Sequence, residues 1–226
     1  MAGTLFVVAT PIGNLGDITL RALETLKNVD AIYCEDTRVT SKLLARYQIK
    51  KPLFRLDAVV ERAKTPEVIR KLESGESLAL VSDAGTPGGL SDPGSYAVRE
   101  VRRNIPDVSI VPIPGPSPLT ATISVAGVLM NEFLFMGFLP HKKGRQTALK
   151  EALASTRPVV LFESTHRIRK LLGEINALDP ERRIVIAREL TKLHEQVTEG
   201  TARDIEERLS TGDIPARGEF VVVIAR

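Results

Sequence analysis

Leu78-Ala79-Leu80-Val81-Ser82-Asp83-Ala84-Gly85-Thr86-Pro87 decides the fold class of this 226-residue chain. A short apolar run, Leu78–Ser82, reads as a buried strand. It breaks at once into an acidic, glycine- and proline-rich turn. Helix-length patterns lie on both sides, at Pro66–Ser74 and at Pro93–Arg103, the latter with proline in its first turn. A strand between helices, ending in a permissive loop, is the repeating unit of an α/β sheet.

The same alternation extends outward. Leu5–Ala9, Ala31–Cys34 and Val108–Pro112 read as strands. Asp17 is predicted to cap a helix carrying Ile18, Leu20, Leu23 and Leu26, and another helix is predicted near Val39–Tyr47. Pro112-Ile113-Pro114-Gly115-Pro116-Ser117-Pro118 is stiff enough to separate two halves. After it come a helix over Leu119–Val128, strands at Phe133–Phe138, Val159–Glu163, Ile184–Arg188 and Phe220–Ile224, and helices near Gln146–Ala154, Arg167–Leu178 and Ala202–Ser210. The expectation is two α/β domains, 1–115 and 116–226, with mostly parallel or mixed sheets.

Composition bounds the function. The chain is 43% hydrophobic and 26% charged, as soluble globular proteins are. No apolar run reaches the roughly 18 residues of a membrane span, and no secretory signal is visible at the start. One cysteine, Cys34, allows no internal disulfide and points to a reducing, cytoplasmic setting. No metal site is expected. The net charge is only +3, yet residues 141–192 carry 12 Lys and Arg against 6 Asp and Glu. That excess is either a solvated face or a footprint for nucleic acid. Aromatic residues are 4% and tryptophan is absent, so base stacking is not the main binding device.

Four loops follow strands and are rich in Gly and Pro: Thr10-Pro11-Ile12-Gly13-Asn14, Asp83–Gly89, Ser91-Asp92-Pro93-Gly94, and the 112–118 segment. In open α/β sheets ligands bind beyond the carboxyl ends of the strands. There is no G-x-G-x-x-G, P-loop or nucleophile elbow, which disfavours a nicotinamide oxidoreductase, a nucleotide triphosphatase and a serine hydrolase. Asp83 is placed either to bind a ligand hydroxyl or amine or to cap a turn. Glu35-Asp36 are either a catalytic base or a helix start. All three histidines lie beside basic residues, in His141-Lys142-Lys143-Gly144-Arg145, Glu163-Ser164-Thr165-His166-Arg167 and Arg188–Glu195. The joint pattern suggests an anionic substrate lying across the second half.

Taken together, Val8–Leu15 with Asp17-Ile18-Thr19, Glu35-Asp36-Thr37-Arg38, Ser82–Pro87 with Ser91–Gly94, Pro114–Ser117, Gly137-Phe138-Leu139-Pro140, Glu163–Arg167 and Arg188–Lys192 resemble the bacterial 16S rRNA (cytidine-2′-O)-methyltransferase family, of the tetrapyrrole-methylase-like superfamily. The resemblance runs in order along nearly the whole chain. It implies S-adenosylmethionine held in a cleft between the two domains, a homodimer, and methylation of a decoding-centre cytidine in the small ribosomal subunit. It implies donor contacts from Pro11, Ile12, Gly13, Asp83, Ala84, Gly85, Thr86, Ser117, Pro118, Phe162 and Glu163. Candidate bases are Glu35 and Asp36, with Glu189 in reserve. Candidate RNA contacts are Arg38, Lys142, Lys143, Arg145, His166, Arg167 and Lys192. The chain departs from the family pattern in one extra residue within Gly88-Gly89-Leu90, in a stretch Phe54–Lys64 poor in His and Asn, and in stopping at Arg226 where many members continue into a small helical extension. Competing readings are a methyltransferase for a small tetrapyrrole-like molecule and a non-catalytic RNA-binding or ribosome assembly factor.

Overall fold

The structure is a computed structural model that describes residues 2–88 and 92–226. Gly89, Leu90 and Ser91, which overlap the Gly88-Gly89-Leu90 stretch that carries one extra residue, lie outside the described residues. The chain divides into two compact units, Met1–Ser117 and Pro118–Arg226. The division falls two residues after the expected one. The segment before it is tied to the first unit, where the Thr86 hydroxyl donates to the Pro116 carbonyl at 3.4 Å.

The first unit is built on strands β1 (Thr4–Val8), β2 (Ala31–Cys34), β3 (Leu53–Arg55), β4 (Leu78–Val81) and β5 (Ser109–Ile113), with helices α1 (Leu20–Asn28), α2 (Thr37–Arg46), α3 (Glu61–Glu73) and α4 (Ser95–Asn104). The strands form one sheet in the order β3-β2-β4-β1-β5. Every pairing is parallel. Alternate residues of β4 feed opposite faces. Ala79 and Val81 pack with Ala22 and Leu26 of α1 and Leu43 and Leu44 of α2. Leu78 and Leu80 pack with Val68 and Leu72 of α3 and Ala97 and Val101 of α4. The helices leaving β1 and β4 therefore cover opposite faces, although the two strands are neighbours. Their carboxyl ends flank a topological switch point, the crevice where open α/β sheets hold ligands.

Three helix starts differ from the sequence reading, one of them α3, which begins at Glu61 and holds Pro66 inside it. Thr19, not Asp17, caps α1, its hydroxyl accepting from the Ala22 amide at 3.0 Å, while Asp17 sits in a single 3-10 turn, Leu15–Asp17. The helix expected from Pro93 begins at Ser95. Its opening is capped from a distance: the buried Glu61 carboxylate accepts from the amides of Gly94 and Ala97, at 2.9 and 3.0 Å. Gly94 has φ +121°, and a Cβ there would stand 2.8 Å from Leu80 Cδ2, so the turn into α4 requires glycine.

The second unit contains α5 (Pro118–Val125), β6 (Leu134–Phe138), α6 (Arg145–Ala154), β7 (Val159–Ser164), α7 (Ile168–Leu178), β8 (Arg183–Arg188), β9 (Gln196–Thr201), α8 (Ala202–Thr211) and β10 (Glu219–Ile224). Its sheet order is β6-β7-β10-β8-β9. Only β6–β7 is parallel; β10 pairs antiparallel with β7 and β8, and β8 with β9. Leu149, Leu171, Leu172, Ile175, Ile205 and Leu209 cover one sheet face. In β8 and β10 every residue after the first is buried, on both faces. The apolar–polar alternation that marks a half-wet antiparallel strand is thus absent.

Candidate functional site

Three loops are stitched together at the carboxyl ends of the first unit's strands. Thr10 and Gly85 form an antiparallel bridge, with N–H···O distances of 2.8 and 3.1 Å. The Thr10 hydroxyl donates to the Ser82 carbonyl at 3.1 Å, and the Ser82 hydroxyl to Gly85 at 3.2 Å. The Ala9 amide donates to the Ile113 carbonyl at 3.1 Å. A Cβ on Gly115 would come 2.9 Å from the Ala9 Cβ, so glycine alone lets the third loop pass this closely. The loops after β1, β4 and β5 therefore share one backbone frame. In it Pro11 and Ile12 are buried and Gly13 exposed, while Asp83 and Thr86 are half-buried.

Carboxylates crowd this end of the sheet. Glu35 and Asp36 follow β2, Asp83 follows β4, and Asp92 precedes α4. The Asp36 amide donates to Asp83 Oδ1 at 3.0 Å, tying the ends of β2 and β4. Burial pushes the Glu35 carboxyl above the usual range, and the neighbouring Asp83 charge adds to it. Asp83 is raised as well, chiefly by burial. Asp92 is raised to about 6, by burial and then by the charges of Glu35 and Asp83. Among the described residues no group of three or more His, Cys, Asp or Glu is placed to hold a metal ion.

Asp36 behaves differently from its neighbours. Its carboxylate accepts from the Arg38 guanidinium at 2.5 Å and from the Arg38 amide at 2.8 Å, capping α2. The Arg38 hydrogen bonds hold it at about 2, which makes it a poor proton acceptor. Of the two readings of Glu35-Asp36, Asp36 takes the helix-start role, which leaves Glu35 as the candidate base.

In the second unit the expected polar residues are mostly committed to each other. Arg145, 3% exposed, lies between Glu163 at 3.6 Å and Glu174 at 2.8 Å. It is a buried cation of the fold and does not serve as the surface phosphate donor expected from sequence. Glu163, 2% exposed, also faces Arg167 at 3.3 Å. Arg167 in turn donates to the Leu139 carbonyl at 2.5 Å and lies 3.5 Å from His141. Phe162 is half-buried in edge-to-face contact with Phe135 and Phe138. Lys192 bridges Glu189 and Glu219 at 2.9 and 2.8 Å. Burial works to raise the Glu189 carboxyl, but Lys192 and the Glu219 amide hold it below the usual range, so its place as reserve base weakens. His141, Lys142, Lys143 and His166 are exposed. Ser117 ends the first unit and Pro118 opens α5.

Asp92 is the residue that sequence reading passed over. It was visible only as one member of a turn, Ser91-Asp92-Pro93-Gly94. Its burial beside Glu35 and Asp83 depends on strands distant in sequence, and no local spacing signals that.

A family model described as Tetrapyrrole (Corrin/Porphyrin) Methylases matches residues 4–206. The chain belongs to the tetrapyrrole methylase family. This agrees with the superfamily that its loop motifs resemble. Within the tetrapyrrole methylases it is 44% identical to ribosomal RNA small subunit methyltransferase I of Xylella fastidiosa, over 98% of this chain and 81% of that protein. The protein of the same name in Borrelia garinii is 42% identical, covering 98% of both chains. The one in Thermotoga maritima is 45% identical over 88% of both. Solved structures of the same fold include diphthine synthase, with TM-score 0.71 and 17% identity, covering 98% of this chain and 89% of that one. Another is a cobalamin biosynthetic enzyme, cobalt precorrin-4 methyltransferase, with TM-score 0.66 and 17% identity over 98% and 94% of the two chains.

Proposed function

We propose that this tetrapyrrole methylase family member is an S-adenosylmethionine-dependent methyltransferase of small-subunit ribosomal RNA, and that it methylates the ribose 2′-hydroxyl of a cytidine. The observation that carries the reading is the near full-length identity, 42–45%, to proteins named for that RNA. The fold alone decides no substrate, since its solved neighbours are named for quite different ones.

The loop frame fits such a donor. A sulfonium cofactor with an adenosine and an amino-acid tail offers hydroxyl and amine donors and a positive charge. The bridged Thr10–Gly85 backbone and the close-set Gly115 offer a rigid wall with little side-chain bulk. Asp83 offers a half-buried carboxylate beside it. Within the first unit, Pro11, Ile12, Gly13, Asp83, Ala84, Gly85, Thr86 and Ser117 are the residues assigned to holding the donor. When bound, it supplies a methyl group already electrophilic enough to need no metal.

The protein's own share is alignment and proton removal. Holding the reacting groups in line is worth roughly 7–11 kcal/mol, and a positioned base about 10²–10⁴-fold. Glu35 takes the base role: its raised carboxyl is a stronger proton acceptor than Asp36 and sits at the strand ends where the donor loops meet. The proton of the 2′-hydroxyl passes to a Glu35 carboxylate oxygen as the ribose oxygen gains its methyl group. Burial first, and then the Asp83 charge, raise that carboxyl, which favours taking up a proton. Lys142, Lys143 and His166 remain as exposed candidates for RNA contact, with Arg38, Arg167 and Lys192 available only by giving up carboxylate partners. Homodimer formation and a cytoplasmic setting belong to the same proposal; among the described residues no helix is long and apolar enough to cross a membrane.

The test is primer extension on unmethylated small ribosomal subunits incubated with protein and S-adenosylmethionine. A single new 2′-O-methyl stop at a cytidine is expected. Glu35→Gln should lower kcat by about 10²–10⁴-fold while leaving donor affinity within a few-fold. No stop with the wild type, while S-adenosylhomocysteine binds, would overturn the substrate assignment.

A further inference from the structure

Residues 37–56 of the first unit contain six Lys and Arg and no Asp or Glu, in a chain whose totals are 31 and 28. The structure gathers them along one side of the unit, on α2, the turn after it, and the edge strand β3. Arg38, Lys42 and Arg46 stand four residues apart on α2, all exposed. Such a row steps about 6 Å at a time along the helix axis. Lys50 and Lys51 follow in the turn, and Arg55 ends β3.

These cations divide into two kinds. Arg38 and Arg55, at the ends, are held by Asp36 and Asp57, which flank the stretch. The four between them, Lys42, Arg46, Lys50 and Lys51, make no side-chain ion pair or hydrogen bond among the described residues. Uncompensated like charges on one surface repel, and a fold keeps them only at a cost unless an anion joins them. Beside them runs an open groove of about 520 Å³, whose lining combines Ser41, Gln48, Lys50 and Lys51 with the apolar Leu44, Ile49 and Leu53. Its walls offer a hydroxyl and an amide as well as two ammonium groups.

We propose that this α2–β3 edge is a docking surface for the phosphodiester backbone of an RNA substrate, with Lys42, Arg46, Lys50 and Lys51 as phosphate contacts. The inference rests on the RNA reading above and adds a second anchoring face, on the unit that carries the carboxylates. A row of cations fits a repeating line of phosphates, and Ser and Gln side chains are common partners of phosphate and sugar. RNA suits this face better than an anionic membrane does. Val39, 40% exposed, is the one large hydrophobic among residues 37–56 that is exposed, where an interfacial helix needs an apolar face to insert. The surface begins at Arg38, three residues after the base candidate Glu35 and two after Asp36, so a strand held here runs toward the end of the sheet where the carboxylates gather.

The experiment uses the full chain, a fluorescein-labelled RNA hairpin read by anisotropy across a potassium chloride series, and unmethylated small ribosomal subunits for methyl transfer. The variants are the fourfold K42Q/R46Q/K50Q/K51Q and, for the second unit, K142Q/K143Q. The fourfold variant is expected to bind the hairpin about 10- to 100-fold more weakly at low salt, with the slope of log K against log salt reduced by about 3. Its Tm and its affinity for S-adenosylhomocysteine should match the wild type. An unchanged slope at unchanged Tm overturns the proposal, and so does a loss confined to K142Q/K143Q. So does binding of the wild type to phosphatidylserine vesicles but not to the hairpin. Should the fourfold variant lose Tm, the single charge reversals K42E and K50E are read in its place under the same criteria. Failure of the two readings is separable. A wild type that methylates subunits while the fourfold variant binds and transfers equally well sinks only this surface. A wild type that binds RNA through these residues and transfers no methyl group sinks only the enzymatic reading.

Discussion

The two units handle charge in opposite ways. In the first, Glu35, Asp83 and Asp92 crowd one end of the sheet and are all raised, chiefly by burial, while Lys42, Arg46, Lys50 and Lys51 have no ion-pair partner among the described residues. In the second, Arg145, Arg167 and Lys192 are each matched to glutamates, one of the pairings fully buried. A charge that the fold neutralises serves the fold. A charge that the fold leaves in like company awaits a partner from outside or a proton. By this measure much of the second unit's basic character is architecture.

The largest test of that contrast breaks the second unit's network. Glu163→Gln removes a carboxylate that faces both Arg145 and Arg167 and leaves a buried guanidinium short of a counter-charge. It should destabilise the protein by about 3 kcal/mol, measured by urea unfolding. A loss under half of that would mean the cluster is hydrated and less structural than its burial implies. The converse applies to the first unit. Asp83→Ala should lower S-adenosylhomocysteine affinity by about tenfold, roughly 1.4 kcal/mol, in calorimetry, while RNA affinity holds. Equal donor affinity would remove Asp83 from the site.

The smallest effect carries a sign. Asp92 titrates near 6 in the folded chain, above its ordinary value, so the folded state binds the proton more tightly than the unfolded one. Stability from this group is therefore present below about pH 4 and lost as pH rises toward 6. Asp92→Asn should stabilise the protein at pH 7.5 by about 1 kcal/mol once solvent screening is allowed for, and make little difference at pH 3.5. Thermal melts at the two pH values read it. A gain that is the same at both would assign it to packing instead.

Much of the fold was legible from the chain alone, and the exceptions share physical causes. β2 was read to the residue, because four buried apolar side chains between polar turns leave no other choice. β3 and β9 were missed. The first is three residues long, and the second, Gln-Val-Thr-Glu-Gly-Thr, is a polar edge strand with a single buried position, so neither shows apolar periodicity. The antiparallel pairing of the second sheet was hidden because burial on both faces erases alternation. At the site, the loop motifs marked the strand ends that the structure bridges through Thr10 and Gly85. What sequence cannot supply is relative burial: Asp36 and Glu35 are adjacent and chemically alike, and only the Arg38 fork marks Asp36 as the helix cap. Arg145 looked like a surface cation within a basic run until its place between two glutamates was known.

The strand order β3-β2-β4-β1-β5 has a consequence for how the protein is made. β1 and β2 are not partners; the strand that joins them is β4, and its residues leave the ribosome more than 40 positions after β2. Until then the segments bearing Thr10 and Glu35 have a gap between them, and their inner edges lack hydrogen-bond partners. The catalytic end thus forms by insertion of a late strand into a waiting space, a non-local step that is slow and exposes sticky edges meanwhile. Nascent chains stalled before residue 78 should therefore be a substrate for chaperones before they are anything like an enzyme.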